Sequence, residues 1–154
     1  MTTRTRGEKW LQERRAEFRI VTFLHKQKGA RASAEALDYP VERIIKSLVV
    51  ELEPRRYAFV LMPGDRELSL RKLGRATKTS PQMAKPETAE RITGYRLGGI
   101  SPFGSYAELP VYMEETLILQ DEVAINAGHR GVHAFMSPED IAELLDAPLL
   151  DLAQ

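Results

Sequence analysis

The residues best suited to chemistry lie in one short segment, 93–104, which reads TGYRLGGISPFG. It holds four glycines, a proline and a serine among hydrophobic residues, whereas an ordinary surface loop is more polar. Glycine lets the main chain adopt positive φ angles or approach another group closely. Successive N–H groups in such a turn can form an anion site, and in an enzyme they can stabilise the oxyanion of a carbonyl under attack. The segment therefore predicts either an oxyanion-binding loop or a tight hairpin turn over the core.

Lys46 is the second candidate, because it interrupts an apolar stretch that is typical of a β-strand. Alternation along that strand places Lys46 on the same face as Leu48 and Val50. A lysine there must extend its ammonium group to solvent or meet an anion, because an unpaired buried charge is costly. The pattern leaves open a substrate-binding lysine and an edge-strand lysine with its head in water.

The histidines do not have the pattern of a metal site. His129 and His133 are four residues apart, but Gly128 and Gly131 disfavour the helix on which such a pair would bind zinc. The chain has no cysteine, which excludes disulfides, a cysteine nucleophile and thiolate metal ligands. We therefore expect no metal and no other cofactor. Ser101 has no evident base beside it and lacks the Gly-x-Ser-x-Gly elbow, so we expect its hydroxyl to hold the loop in place.

The elements that must position these residues follow from local patterns. Runs of β-branched and aromatic residues predict strands, and an i, i+3, i+4 apolar stripe predicts a final helix capped by Ser137. The predicted strands are 18–24, 46–52, 57–61, 110–112, 122–126 and 132–136. The predicted helices are 8–16, 32–37, 41–44, 69–77 with Ser69 as its cap, 86–92 and the final one, and we expect residues 1–6 to be disordered. Strands that return as hairpins predict a mixed, largely antiparallel α/β domain.

Composition places the chain among globular proteins. It has 154 residues, of which 43% are hydrophobic and 29% are charged. We expect a basic N-terminal extension and helix over residues 1–17 and a single domain over residues 18–154. No apolar run has the length of a membrane span, and the N-terminus lacks the apolar stretch of a signal peptide. These features favour the cytoplasm and predict no membrane partner.

The charges are distributed unevenly along a chain whose formal net charge is zero. Residues 1–31 hold nine Lys or Arg and three acids, whereas residues 108–154 hold ten acids and Arg130 as the one base. The basic part predicts attraction to phosphates. Two solvated faces that attract each other remain the alternative. The candidate phosphate contacts are Arg4, Arg6, Lys9, Arg14, Arg15 and Arg19.

The glycine segment resembles the signature loop of the YbaK/ProX family of aminoacyl-tRNA deacylases. The resemblance rests on TGY at 93–95 and on GGISP at 98–102. Weaker matches follow in the family's order: IKSLVV at 45–50, PGD and LSLRKL within 63–73, and AGHRG at 127–131. Together they run from about residue 18 to residue 152. The resemblance implies a curved, barrel-like mixed sheet surrounded by helices, with the editing domain over residues 18–154.

The resemblance also implies a function. Members of the family hydrolyse the ester of a mischarged tRNA in trans, which here implies Cys-tRNA(Pro) or Ala-tRNA(Pro), with tRNA as partner and prolyl-tRNA synthetase as an expected contact. Lys46 matches the essential lysine of the family, which positions the substrate. The N–H groups of the loop would bind the ester carbonyl, and Pro102 would stiffen the loop. The loop residues implied are Gly98, Gly99, Ile100 and Ser101.

Four further positions are implied to border the substrate, and three of them depart from the family pattern. Phe23 stands where the family often has tyrosine, and a nearby histidine like His25 is common. Asn126 stands where relatives have serine, and His133 replaces an aspartate by a group that ordinarily titrates near neutrality. The departures predict altered specificity, or a non-catalytic binding module that keeps the fold. The intact loop and Lys46 favour the enzyme.

Overall fold

The computed structural model describes residues 4–24 and 29–154. These residues form five α-helices, two 3-10 helices and eight strands. The α-helices are α1 (Arg6–Glu13), α2 (Ala30–Leu37), α3 (Leu70–Thr77), α4 (Pro86–Thr93) and α5 (Pro138–Leu144), and the 3-10 helices are Val41–Arg43 and Glu115–Leu119. The strands are β1 (Arg19–Thr22), β2 (Ile45–Glu53), β3 (Arg56–Pro63), β4 (Gln82–Met83), β5 (Val111–Glu114), β6 (Val123–His129), β7 (Val132–Met136) and β8 (Leu149–Leu150).

The strands pair in two sheets. A five-stranded sheet has the order β4-β2-β3-β5-β8, and a three-stranded sheet has the order β1-β7-β6. β3 and β8 pair with β5 in parallel, whereas the other pairs are antiparallel, which confirms a mixed and largely antiparallel fold. A single parallel bridge between Ile44 and Ala124 connects the two sheets. The expected barrel is not confirmed, because two separate sheets joined by one bridge do not close on each other within the described residues.

β3 lies at the centre of the larger sheet and is buried on both faces. Phe59 and Leu61 point into the main core, which residues of both sheets and of α1 and α5 share. Val60 and Met62 point to the opposite face, where α3 and the C-terminal residues cover the sheet. This arrangement explains why the strand reads as a continuous apolar run instead of an alternating one. A third, smaller cluster packs α2 against Ala124 and Phe135 of the three-stranded sheet.

Local signals explain most of the helix ends. The Ser69 hydroxyl accepts a hydrogen bond from Lys72 N, and the Ser137 hydroxyl accepts one from Glu139 N, so both predicted caps are confirmed. The N-terminal helix begins earlier than predicted. Thr5 caps it through a bond from Glu8 N, which places Arg6 inside the helix and contradicts the expected disorder at that residue.

Other differences are small. α1 ends at Glu13 instead of residue 16, α2 begins at Ala30 instead of residue 32, and the two-residue strands β4 and β8 were not predicted. Each of these short strands is held mainly by its partner in the sheet, so its sequence alone carries little signal. No helix in the described part of the chain combines the length and apolar character needed to cross a membrane.

Candidate functional site

A cavity of about 390 Å³ opens where the end of the glycine segment meets the start of β2. Five of the residues predicted from the sequence or the resemblance line it: Lys46, Gly98, Ile100, Asn126 and His133. Its remaining walls come from the first turn of α2 and from the apolar side chains that flank Lys46. The volume lies in the range of about 300–1,000 Å³ that is usual for small-molecule sites. Residues far apart in the chain therefore converge on one concave surface.

Among the described residues that line this cavity, Lys46 is the one that carries a charge. Its side chain is 19% exposed, and its Nζ donates to Glu67 Oε1 over 3.2 Å. Glu67 follows the turn after β3 and is itself 77% exposed. The Lys46 ammonium group is thus paired with an anion, as expected for a lysine in an apolar strand. Solvent and ligands can reach this anion, because the Glu67 carboxylate is exposed. An exposed partner is worth at most about 1 kcal/mol, so a ligand can displace it.

The glycine loop turns tightly at its centre. Gly98 has a φ of 86°, a region that L side chains rarely adopt, and a Cβ there would lie 2.7 Å from Arg130 Nε. Gly99 N donates to Arg96 O over 2.8 Å, which closes the turn and uses the Gly99 N–H inside the protein. A Cβ on Gly99 would meet the backbone of residues 129 and 130 at 3.0 Å. The positive φ at Gly98 and the close backbone beside Gly99 therefore favour glycine at both positions.

The N–H groups of Gly98, Ile100 and Ser101 have no acceptor among the described residues. Arg130 donates through an Nη to Leu97 O over 3.3 Å. Because the peptide bond between Leu97 and Gly98 is trans, the Gly98 N–H points in the opposite direction from that carbonyl and away from Arg130. The Arg130 guanidinium therefore polarises the peptide between Leu97 and Gly98. The Gly98 N–H of that peptide remains available to donate to an anion.

Asn126 fixes the position of the loop. Its Nδ2 donates to Gly98 O over 3.1 Å and to His129 O over 3.0 Å. Its Oδ1 accepts from Gly128 N over 2.6 Å and from His129 N over 3.1 Å. These four bonds use the full capacity of the amide. Asn126 lines the cavity, but its hydrogen bonds are already made within the protein, so it acts on the loop and not as a free donor to a ligand.

His133 lies at the back of the cavity on β7. It is 5% exposed, and burial lowers its pKa from 6.5 to about 4, so the imidazole is neutral at pH 7. The expectation that His133 titrates near neutrality is therefore wrong, because the sheet removes the ring from solvent. The Phe23 ring packs against it with centroids 5.3 Å apart.

Two buried polar atoms on the cavity wall have no partner among the residues that the structure describes. They are Nδ1 of His133 and the hydroxyl oxygen of Ser47. Unpaired buried polar atoms are rare in native proteins, and they call for an explanation such as a bound group. Ser47 and His133 line the cavity, although the two atoms themselves are buried.

The other predicted site residues that the structure describes are not among those that line the cavity. Ser101 is fully buried, and its Oγ accepts a hydrogen bond from Phe103 N over 3.1 Å, which is the loop-holding bond expected of it. Pro102 is buried on the far side of the loop, beside Trp10. Phe23 reaches the site through its contact with His133. His25 lies outside the described residues.

In the described ranges no group of three or more potential ligands is arranged to hold a metal ion.

The basic N-terminal part is largely committed to contacts within the protein. Arg6 lies between the rings of Tyr95 and Tyr106, at 4.3 and 4.1 Å from their centroids. Arg14 covers the ring of Trp10, and Arg19 forms an ion pair with Glu122. Phosphate contacts through this group of residues stay a prediction.

Sequence reasoning missed three residues of the site. Glu67 and Arg130 contact Lys46 and the loop only because distant parts of the chain meet, and no local pattern predicts those contacts. Arg130 did carry a signal, because it is the one base in residues 108–154. Ser47 also carried a signal, because its hydroxyl interrupts the same apolar strand as Lys46 does.

Comparisons with known proteins identify a matching family and related sequences. The family model described as "Aminoacyl-tRNA editing domain" matches residues 25–144. A protein of Enterococcus faecalis named "Putative Cys-tRNA(Pro)/Cys-tRNA(Cys) deacylase EbsC" is 30% identical over 125 residues, which cover 80% of this chain and 76% of that protein. A proline--tRNA ligase of Sulfurihydrogenibium is 28% identical over 107 residues, which cover 69% of this chain and 18% of the ligase.

Solved structures show the same fold. A crystal structure described as that of "a putative trans-editing enzyme for prolyl tRNA synthetase" superimposes with a TM-score of 0.89 at 28% identity. The match covers 97% of this chain and 95% of that one. The likeness thus extends over nearly the whole chain, including the N-terminal helix.

Proposed function

Because this chain belongs to the aminoacyl-tRNA editing domain family, we propose that it is a trans-acting aminoacyl-tRNA deacylase. It hydrolyses the ester that joins an incorrect amino acid to the terminal ribose of a tRNA. The observation that carries the proposal is that Lys46 and the polarised peptide of Gly98 line the same cavity. A cation and an anion-binding N–H on one concave surface suit an ester next to a nucleotide.

Water attacks the ester carbonyl carbon, and the carbonyl oxygen becomes an oxyanion. The N–H groups of Gly98 and Ile100 donate to that oxygen, and the loss of one such donor from an oxyanion hole costs roughly 3–4 kcal/mol. The bond from the carbonyl carbon to the ribose oxygen then breaks. The carbonyl re-forms as this bond breaks, and the ribose oxygen takes up the proton that the attacking water loses, which gives the free amino acid and the ribose hydroxyl.

Lys46 positions the substrate by binding the terminal nucleotide. It gives up its exposed partner Glu67 for that contact, at a cost of at most about 1 kcal/mol. The Ser101 hydroxyl is occupied in the loop, which supports water instead of a serine as the nucleophile.

The aminoacyl group occupies the part of the cavity beside Ser47 and His133. When the two side chains turn toward the ligand, the neutral imidazole and the hydroxyl accept hydrogen bonds from the α-ammonium group that every aminoacyl ester carries. The limited volume favours small amino acids, and we propose Cys-tRNA(Pro) as the first substrate and Ala-tRNA(Pro) as the second. The name of the Enterococcus relative supports the first choice. Prolyl-tRNA synthetase is the proposed partner that supplies the mischarged tRNA.

The test is a panel of purified mischarged tRNAs with the wild-type protein, with Lys46→Ala and with a control, Lys78→Ala. Lys78 is exposed at the end of α3 and does not line the cavity. We expect wild type and Lys78→Ala to release the amino acid at equal rates, whereas Lys46→Ala is inactive with an unchanged circular dichroism spectrum. Absence of hydrolysis on every tRNA would overturn the proposal in favour of a non-catalytic binding module.

A further inference from the structure

The opposite face of the glycine loop carries a second cavity, which the proposed reaction does not use. Its volume is about 550 Å³. The side chains that line it include Arg6, Arg96, His129 and Arg130, and no Asp or Glu is among its lining residues. We infer that this cavity binds phosphodiester groups of the single-stranded 3′ end of a tRNA. The inference rests on the proposed function, since the same tRNA would present its ester to the first cavity.

The three arginines of this cavity are not neutralised. Within residues 4–24 and 29–154, the ion pairs found involve other cations, and none includes Arg6, Arg96 or Arg130. By contrast, Arg19, Arg43 and Arg56 each have an acidic partner. Uncompensated charges of one sign on a concave surface focus the field and attract anions.

Two of the guanidinium groups are held in place by uncharged partners. Arg6 donates to Thr93 O over 2.9 Å and to Gly104 O, and it is clamped between two tyrosine rings. Arg130 donates to Leu97 O. Carbonyls and rings fix the geometry but leave the positive charge in place. A guanidinium with free N–H groups in a fixed orientation suits the oxygens of a phosphate group.

Arg96 differs from the other two, because the residue is exposed and its side chain makes no hydrogen bond to the described residues. It stands in the loop itself, two residues before Gly98. This side chain is free to contact a ligand without first breaking a bond in the protein.

The position of the cavity identifies the part of the tRNA. Leu97 lines both cavities, while Gly98 lines the first and Gly99 lines the second, so only the loop separates them. A terminal adenosine held in the first cavity directs the nucleotides that precede it past this loop. Those nucleotides are single-stranded, and their phosphates are the nearest anions available to the three arginines.

The experiment measures the binding of uncharged tRNA, intact or shortened by its last three nucleotides, over a range of salt concentrations. The variants are Arg96→Ala and a control, Arg91→Ala, which removes an exposed charge from α4 outside the cavity. Each lost contact to a single strand reduces the log–log salt slope by about 0.7. We expect Arg96→Ala to lower affinity and slope for intact tRNA and to leave the shortened tRNA unaffected. Arg91→Ala should behave as wild type with both.

Three results would overturn the inference. These are equal effects of Arg96→Ala on both tRNAs, no effect on either, and no tRNA binding by the wild type. Inorganic phosphate serves as a further probe. If Arg96→Ala abolishes phosphate binding but does not change the affinity for tRNA, the cavity is a site for free anions and not for tRNA. The binding experiment uses uncharged tRNA, so it does not depend on catalysis. If the protein binds intact tRNA better than shortened tRNA but hydrolyses no mischarged tRNA, the proposed activity fails while this inference stands.

Discussion

The amide of Asn126 donates a hydrogen bond to the carbonyl oxygen of Gly98 over 3.1 Å, across 28 residues of sequence. The same amide also closes the irregular end of β6, where the register with β7 shifts between Asn126 and His129. One side chain therefore sets the position of the glycine loop relative to the sheet. Asn126 therefore connects the glycine loop, whose N–H groups are the proposed donors, to strands β6 and β7.

Asn126→Asp replaces only the amide nitrogen, so its effect isolates the two donated bonds. The Gly128 and His129 N–H groups keep their acceptor, whereas Gly98 O faces a carboxylate oxygen and is repelled. We expect a loss of roughly 1–3 kcal/mol in the free energy of unfolding, together with a fall in kcat that exceeds the change in KM. Urea unfolding and steady-state deacylation measure the two effects. A stable variant with normal kcat would show that the loop holds its shape without Asn126.

Glu67→Gln removes the anion that occupies Lys46 in the free protein. If Lys46 positions the substrate, the lysine no longer has to exchange partners, and we expect KM to fall roughly two- to fivefold with little change in kcat. Stability should change little because Glu67 is exposed. Asp65→Asn, which removes a carboxylate from the same turn, is the matched control and should leave KM unchanged. A rise in KM for Glu67→Gln would mean that the carboxylate itself contacts the substrate.

The burial of His133 predicts a pH dependence of stability. Its pKa is about 4 in the folded protein and near 6.5 when unfolded, so the unfolded chain binds more protons between these values. This contribution is therefore fully present above about pH 6.5, and it is lost as the pH falls toward 4, by up to about 3 kcal/mol.

The measurement for His133 is urea unfolding at pH 7.5 and at pH 4.5, with wild type, His133→Asn and His129→Asn. His129 is exposed and controls for the loss of a histidine. We expect His133→Asn to lose less stability at low pH than wild type, and His129→Asn to follow wild type. Equal pH dependences for all three proteins would show that His133 does not contribute.

Phe23 and His133 should set substrate preference jointly, because their rings are in contact. Phe23→Tyr restores a hydroxyl and His133→Asp restores a carboxylate, which changes the polarity of the cavity wall. We expect the double variant to alter the ratio of deacylation rates on Cys-tRNA(Pro) and Ala-tRNA(Pro), by an amount that differs from the combined single effects. An unchanged ratio would mean that cavity size alone decides, which discriminates by only about 1–3 kcal/mol per methylene.

The sequence by itself determined the features that depend on near neighbours. The caps at Ser69 and Ser137 and the hairpin from β6 to β7 each involve residues only a few positions apart, and all of them are confirmed. The same applies to the tight turn at Gly98, which needs a residue without a side chain wherever it lies in the fold. Short-range hydrogen bonds and allowed φ angles are properties of the segment, so they can be predicted from the segment.

Tertiary structure decided which charges and polar groups meet. The partner of Lys46 lies 21 residues away, and the carbonyl that Asn126 holds lies 28 residues away. The neutral state of His133 follows from its burial, whereas its residue type alone suggests titration near pH 6.5. Partner, burial and local dielectric depend on how the two sheets pack, because the energy of a charge is set by everything around it and not by its neighbours in sequence.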